Sequence, residues 1–251
     1  MKRLKLGGLL IGVLFLLTGC QAVENEEGFF YSIFVKPMNF LLDFFGNTLF
    51  NGSYGLAIIA ITVLIRLILM PFMLKNYRNQ AIMKSKMDIV KPKMEEIQGK
   101  LKTAEKKEDQ MALQQEMLNL YREHGINPLN MGCLPILIQT PIVMGLYFAI
   151  RYSADVKTHE FLWFSLGSPD IIMTIVAGII YMVQAQVSLW TVPETQKQQM
   201  KWMIYISPIM IVIISFTSMA ALPLYWSVSG FILIVQTFIG RKYFSHLPEV
   251  K

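Results

Sequence analysis

The chain has 251 residues, of which 54% are hydrophobic and 16% charged, and its formal net charge is +6. Soluble domains carry about 25% charged residues, so this composition excludes an ordinary water-soluble fold and points to lipid as the solvent of much of the surface. Two cysteines, Cys20 and Cys133, exclude a disulfide framework, and neither has the spacing of a metal site.

The first elements concern targeting. Lys2, Arg3 and Lys5 precede an apolar stretch over 6–17, and Leu17-Thr18-Gly19-Cys20 ends it. This pattern predicts a signal peptide over 1–19. The cysteine ending resembles the bacterial lipobox, which implies cleavage before Cys20, lipid attachment to that cysteine and a mature N-terminus outside the cytoplasm. An extracytoplasmic segment, 20–54, follows. Within it, Lys36, Asn39, Asp43 and Asn47 recur every three or four residues, which predicts a polar stripe with the aromatics opposite, the pattern of an amphipathic helix lying in the membrane interface.

Five spanning helices are predicted next. The first, 55–74, is about twenty residues long, enough to cross a bilayer, and Arg66 is its one charge. The second and third cover 128–151 and 170–191. The uncharged stretch from 202 to 240 is too long for one crossing and is punctuated by Ala221-Leu222-Pro223, where a helix is expected to stop. It is read as a fourth span over 202–220 and a fifth over 222–240.

The connections carry the orientation. With the start outside, the inner segments 75–127, 192–201 and 241–251 hold sixteen Lys and Arg, against Lys36, Arg151 and Lys157 in the outer ones, the last two around the loop 152–169. That is the asymmetry expected of a polytopic membrane protein whose basic loops stay inside. Orientation accounts for the basic excess, so no direct nucleic-acid recognition is implied. The segment 75–127 places Met94, Ile97 and Leu101, then Leu113, Met117, Leu120 and Tyr121, at helical intervals around a charged stretch, 103–109. It is expected to form a cytoplasmic hairpin of two short amphipathic helices, with Pro92 in the first turn of one and His124-Gly125 ending the other. The fold class is therefore all-α.

Catalytic signatures are lacking. There is no phosphate-binding loop, no G-x-S-x-G and no H-E-x-x-H. His124, His159 and His246 have no partner at metal-ligand spacing, and apart from Asp170 at the flank of the third the predicted spans contain no carboxylate for a proton relay or an aspartyl protease. No cofactor or metal is expected.

Arg66 remains. A central arginine costs a spanning helix about 2.5–3.5 kcal/mol on insertion scales, so it needs water or polar partners. The plain alternative is a structural arginine bonded to neighbouring carbonyls. The polar residues of the other spans favour a wet cavity instead. Thr62 lies one turn before Arg66, Gln139 and Thr140 are in the second span, Gln184, Gln186 and Ser188 in the third, Ser207, Ser215, Thr217 and Ser218 in the fourth, and Ser227, Ser229 and Gln236 in the fifth.

These features together resemble a known family. A lipobox, five spans, the sequence Ile61-Thr62-Val63-Leu64-Ile65-Arg66 closed by Met70-Pro71, the polar hairpin, Asn127-Pro128 entering the second span and Leu224-Tyr225-Trp226-Ser227-Val228-Ser229 in the fifth are similar to the YidC family of membrane protein insertases, in its short Gram-positive lipoprotein form. The resemblance implies a hydrophilic groove open to the cytoplasm and to lipid. It makes Arg66 the groove cation and Thr62 its neighbour, places Gln139 on the lining, gives Gln184 or Gln186 to the wall, and gives Trp226 and Ser229 the contacts to a passing substrate.

The function implied is that of an insertase and chaperone, not an enzyme, in the bacterial cell membrane. Arg66 would draw in the acidic tail of a nascent membrane protein, whose apolar helix then partitions into lipid. Implied partners are nascent membrane proteins and membrane lipid, with the ribosome, the signal recognition machinery and the Sec translocon beside them, and the working unit is a monomer with its C-terminus in the cytoplasm. The competing reading, a small anion transporter or channel built on Arg66, predicts repeats and broken helices, neither of which the sequence clearly shows.

Overall fold

Most segments of this sequence carry helix-forming residues, and the structure is helical nearly throughout. The computed structural model describes residues 25–126, 133–192 and 194–244, without the side chains at 133–138, 191, 194–196, 199 and 201. The expected signal peptide, Cys20, Asn127-Pro128 and the tail from 245 lie outside the described residues.

In chain order the elements are a helical segment α1 over 28–49, α2 (Tyr54–Thr103), α3 (Lys107–Glu123), α4 (Cys133–Tyr152), the short α5 (Ala154–Thr158), β1 (Glu160–Phe161), β2 (Phe164–Ser165), α6 (Ile171–Ser188) with a 3-10 turn Leu189–Thr191, α7 (Glu194–Thr217) and α8 (Ala221–Phe244). The two strands depart from the all-α expectation. They pair antiparallel, Glu160 opposite Ser165 and Phe161 opposite Phe164, and Leu162 turns the corner at φ 57. A ladder this short leaves no alternation for a sequence pattern to reveal. Among the described residues, α2, α6 and α8 are long and apolar enough to cross a membrane, and α7 holds a shorter apolar stretch, Trp202–Thr217.

The described chain divides into two compact units. The first comprises the residues up to Ile65, with Leu137–Ala177 and Val212–Val228. Its core gathers Leu42, Tyr54, Ile58, Ile61, Leu146 and Leu222, all nearly inaccessible. In α1, Val35, Leu42 and Gly46 are the buried positions, spaced seven and four apart as one helix face requires. The opposite side exposes Lys36 and Asp43 together with Phe29, Phe40 and Phe44, so charge and aromatics share the outer face instead of opposing each other. Two glycines allow close packing here. A Cβ on Gly46 would lie 2.9 Å from the Tyr54 ring, and one on Gly145 would lie 2.6 Å from the Phe34 carbonyl oxygen. The loop around β1 and β2 is tied down by Ala220 N–H donating to Ser168 O (2.9 Å) and Ala221 N–H to Leu166 O (3.1 Å). The chain breaks at 218–220 and α8 starts with Pro223 in its first turn, where a missing N–H costs no helical bond.

The second unit comprises Arg66–Ile136, Gly178–Ile211 and the residues from Ser229 on. Here the structure corrects the sequence reading. No break separates a span ending at 74 from a hairpin arm starting near Pro92, because α2 runs unbroken from Tyr54 to Thr103 with Pro71 and Pro92 inside it. A buried row of Met83, Met87, Val90, Met94 and Ile97 packs against Leu120 and Ile126 on both sides of Pro92, which offsets the lost hydrogen bond of an interior proline. The connection 192–201 likewise is mostly helix, since α7 begins at Glu194.

The end of α3 follows the expectation. Gly125 takes φ 58, Ile126 N–H reaches Tyr121 O at 2.7 Å and Gly125 N–H reaches Arg122 O at 3.1 Å. This is the Schellman arrangement, with Ile126 closing it as the hydrophobic contact. Tyr121 also donates its hydroxyl to Met94 Sδ at 3.2 Å, and burial raises the Tyr121 pKa above its ordinary value. Met87 is 0% exposed, so Met87→Ala should destabilise the α2–α3 pairing by about 2–4 kcal/mol. Amide hydrogen exchange in α3 should quicken accordingly, with α8 as the unaffected reference.

Candidate functional site

The residues around Arg66 explain how a guanidinium is housed in an apolar helix. Arg66 is 5% exposed, while its neighbours Leu67 and Ile68 are 57% and 66% exposed. The helix therefore turns its apolar side outward and its charge inward. Pro71 has no N–H for the Leu67 carbonyl, which loosens the turn that carries Arg66.

The partner face comes from α8. Ser229, Gln236 and Gly240 are spaced seven and four apart, as are Arg66, Met73 and Tyr77 on α2, so each set forms one stripe. Arg66 donates from Nη2 to Ser229 Oγ. Gln236, fully buried, donates from Nε2 to the Arg66 carbonyl oxygen at 3.3 Å. Three turns on, the Tyr77 and Thr237 hydroxyls lie 2.7 Å apart. A Cβ on Gly240 would come 2.7 Å from the Tyr77 ring, so the missing side chain admits that ring. Both stripes ascend in residue number from one contact to the next, so the two helices run parallel here.

The other oxygen of this cluster is informative. Gln236 Oε1 is buried without a hydrogen-bond partner among the described residues. A buried amide oxygen is normally satisfied, so such a position calls for water or a polar visitor. The cluster thus offers a guanidinium, three hydroxyl groups and an amide inside an apolar surround, where electrostatic attraction is strong. It can attract and hold an anionic or polar group, and it contains no nucleophile with an adjacent base.

The expected site residues divide between the two units. Arg66 and Ser229 come together in the second unit. Gln184, also in that unit, is half-buried and donates to Ser188 Oγ at 2.9 Å. Gln186 is exposed and donates to the Tyr205 hydroxyl. Thr62, Gln139 and Trp226 belong to the first unit. Thr62 is 2% exposed and turns its hydroxyl to Ile58 O at 2.7 Å, Gln139 is half-buried, and Trp226 is half-buried against the first unit's core.

Two contributors escaped the sequence reading as site residues. In sequence Gln236 is one polar residue among several in the fifth span, and Tyr77 lies in the polar segment that follows the first. Their spacing from Ser229 and from Arg66 was the available signal. At the distal end of the same unit, Arg241 lies 4.8 Å over the Trp190 ring, Phe238 meets that ring edge-on at 5.1 Å, and Lys84 donates to the Trp190 carbonyl at 3.2 Å. Cation–π and hydrogen-bond contacts of this kind fix the end of α6.

Comparison with known proteins gives one consistent result. Residues 45–246 match the family described as 60Kd inner membrane protein. A relative from Staphylococcus haemolyticus (strain JCSC1435), named Membrane protein insertase YidC, is 46% identical over 256 aligned residues, covering 99% of this chain and 88% of the relative. A relative of the same name from Staphylococcus aureus (strain JH9) is 47% identical with the same coverage. Buried polar groups on α2 and α8, apolar helices of spanning length and a match along nearly the whole sequence agree, and the chain belongs to the YidC family of the 60Kd inner membrane protein.

Proposed function

We propose that this chain is a membrane protein insertase and chaperone, working in the bacterial cell membrane without making or breaking covalent bonds. The observation that carries the reading is the buried guanidinium of Arg66, held by the Ser229 hydroxyl and adjoined by the open amide oxygen of Gln236. An acidic tail of a nascent membrane protein is drawn to this cation, and the apolar helix behind the tail partitions into lipid as hydrophobic burial favours it. Thr62, Gln139 and Gln184 supply further polar contacts along the path, and Trp226 touches the passing helix.

The topology that suits this activity has five spans, α1 in the interface, a lipid-modified Cys20 outside and the C-terminus in the cytoplasm. The exposed aromatics of α1 support an interfacial position. The paired region of α2 and α3 then lies in the cytoplasm as the hairpin, where it receives substrate from the ribosome, the signal recognition machinery or the Sec translocon. The monomer is the working unit.

Site-specific photo-crosslinking from position 226 to a ribosome-stalled, single-spanning nascent chain tests the reading. An adduct is expected when the client carries its apolar span, and its loss is expected when that span is replaced by polar sequence. Adducts of equal yield with both clients would refute substrate contact at Trp226. Anion flux through proteoliposomes of the pure protein should stay at the level of empty vesicles, and flux above that level would favour the transporter.

A further inference from the structure

A second polar site lies in the first unit, away from Arg66. A cavity of about 280 Å³ opens where the ends of α4 and α7 meet the loop around the strands, lined among others by Arg151, Tyr152, Lys157, Gly167, Thr217 and Met219. Arg151 and Lys157 are two of the three basic residues in the segments expected outside, the third being Lys36. In a region otherwise poor in positive charge, two cations share one small cavity.

The carboxylates of this unit are placed elsewhere. None lines the cavity, and neither Arg151 nor Lys157 is in an ion pair among the described residues. Asp170 accepts from Met173 N–H at 2.7 Å and so caps α6. Asp43 has its pKa raised above the usual carboxylate range, first by burial and then by the charge of Asp155, which gathers those two acids together. Glu160 is exposed on β1.

The wall of the cavity is built, not loose. A Cβ on Gly167 would fall 2.1 Å from the Lys157 carbonyl oxygen, so the two backbone segments touch and fix where Lys157 leaves the chain. Ser153 caps α5 by accepting from Val156 N–H at 3.2 Å, and Val156 is 0% exposed, which anchors the helix that carries Lys157. The backbone bonds from Ala220 and Ala221 to Ser168 and Leu166 hold the remaining side.

The surroundings indicate an amphiphilic ligand. Along α7, Ile213 and Phe216 are 58% and 54% exposed, and on α4 Met144 is 38% exposed, one residue face below Arg151 at a spacing of seven. These apolar side chains lead away from the cations along helices expected to lie in lipid. The volume, about 280 Å³, is just below the roughly 300–1,000 Å³ found for small-molecule sites, which suits a headgroup whose chains stay outside.

We propose that Arg151 and Lys157 bind the phosphate of an anionic phospholipid headgroup, with the acyl chains lying against Ile213, Phe216 and Met144. Arginine engages phosphate oxygens through two parallel N–H bonds, lysine adds a point charge, and basic recesses between spanning helices are the usual form of such headgroup sites. The proposal does not depend on the insertase reading, since a lipid can occupy this cavity whatever passes Arg66.

Native mass spectrometry of the full chain in neutral detergent, with phosphatidylglycerol or phosphatidylcholine added, tests it. The wild-type protein should retain phosphatidylglycerol in preference to phosphatidylcholine. The Arg151→Gln, Lys157→Gln double variant should lose that adduct by about tenfold, the scale of one or two charge-assisted hydrogen bonds, while Lys36→Gln keeps it and Arg151→Lys recovers part of it. Matched thermal melting of the variants guards against misfolding, which these exposed side chains should not cause. Equal retention of both lipids, or a double variant that binds like wild type, would overturn the proposal. Displacement of the adduct by inorganic phosphate alone, at equal ionic strength with chloride, would assign the cavity to a free anion and overturn its assignment to lipid.

Discussion

Arg66→Ala protein in liposomes should insert a client with a short acidic N-terminal tail at about a tenth of the wild-type rate or less. Interactions with a buried charged donor are worth about 1.5–3 kcal/mol, and each 1.36 kcal/mol of barrier is tenfold in rate. The loss should not reflect poor assembly of the insertase, because removing a central arginine lowers the cost of inserting α2 by about 2.5–3.5 kcal/mol. Arg66→Lys should keep much of the activity, since the charge remains and only the planar fork is lost. A client whose tail acids are changed to asparagine should be nearly indifferent to the variant. Equal losses for acidic and neutral tails would show that Arg66 acts through something other than attraction.

Gly145→Val should strongly destabilise the first unit. Its first side-chain carbon would sit 2.6 Å from the Phe34 carbonyl oxygen and 2.9 Å from the carbonyl carbon, so backbone has to move, not the tip of a flexible side chain. Overpacking of this kind costs about 3 kcal/mol. The purified variant should melt several degrees below wild type, and protease should reach α1 sooner. Gly99 is the control. A Cβ there meets nothing within 4 Å, and Gly99→Ala in the middle of a helix should instead gain about 0.5–1 kcal/mol. Equal melting of Gly145→Val and wild type would mean that α1 does not pack on α4 at that distance.

How far sequence carried the structure depended on the range of the interactions involved. Local signals were readable. The glycine after His124 marked the end of α3, the break expected at Ala221-Leu222-Pro223 lies just before it, at 218–220, with those three residues in the first turn of α8, and an arginine in an apolar run marked a place that needs polar neighbours. The continuity of α2 was not, because the change in composition near Lys75 records where the solvent changes, and a helix can pass that boundary unbroken. The strand pair at 160–165 is too short to have a period.

The partners of Arg66 were harder still. Ser229 and Gln236 lie far along the chain from Arg66, and which polar residue of a span faces which charge is decided by how α2 and α8 pack. Ser229 and Gln236 stand out in sequence only as two of many polar residues in the spans, the resemblance adds weight to Ser229 alone, and Tyr77 follows from neither. Gln184 and Gln186 differ by two residues, which on a helix is more than half a turn. Their burial distinguishes them where their order in the chain does not.

The unbroken α2 also has a mechanical meaning. At 1.5 Å per residue, its 50 residues reach about 75 Å, well beyond the roughly 40–45 Å of a complete bilayer with its headgroups. It is one lever, with Arg66 a quarter of the way along and the α3 pairing near the far end. Pro71 and Pro92 are the places where such a rod bends, and only Pro71 stands close to the charge. A load applied where α3 docks is therefore delivered along covalent backbone to the turn that carries Arg66, so the paired region of α2 and α3 and the buried guanidinium move on the same shaft.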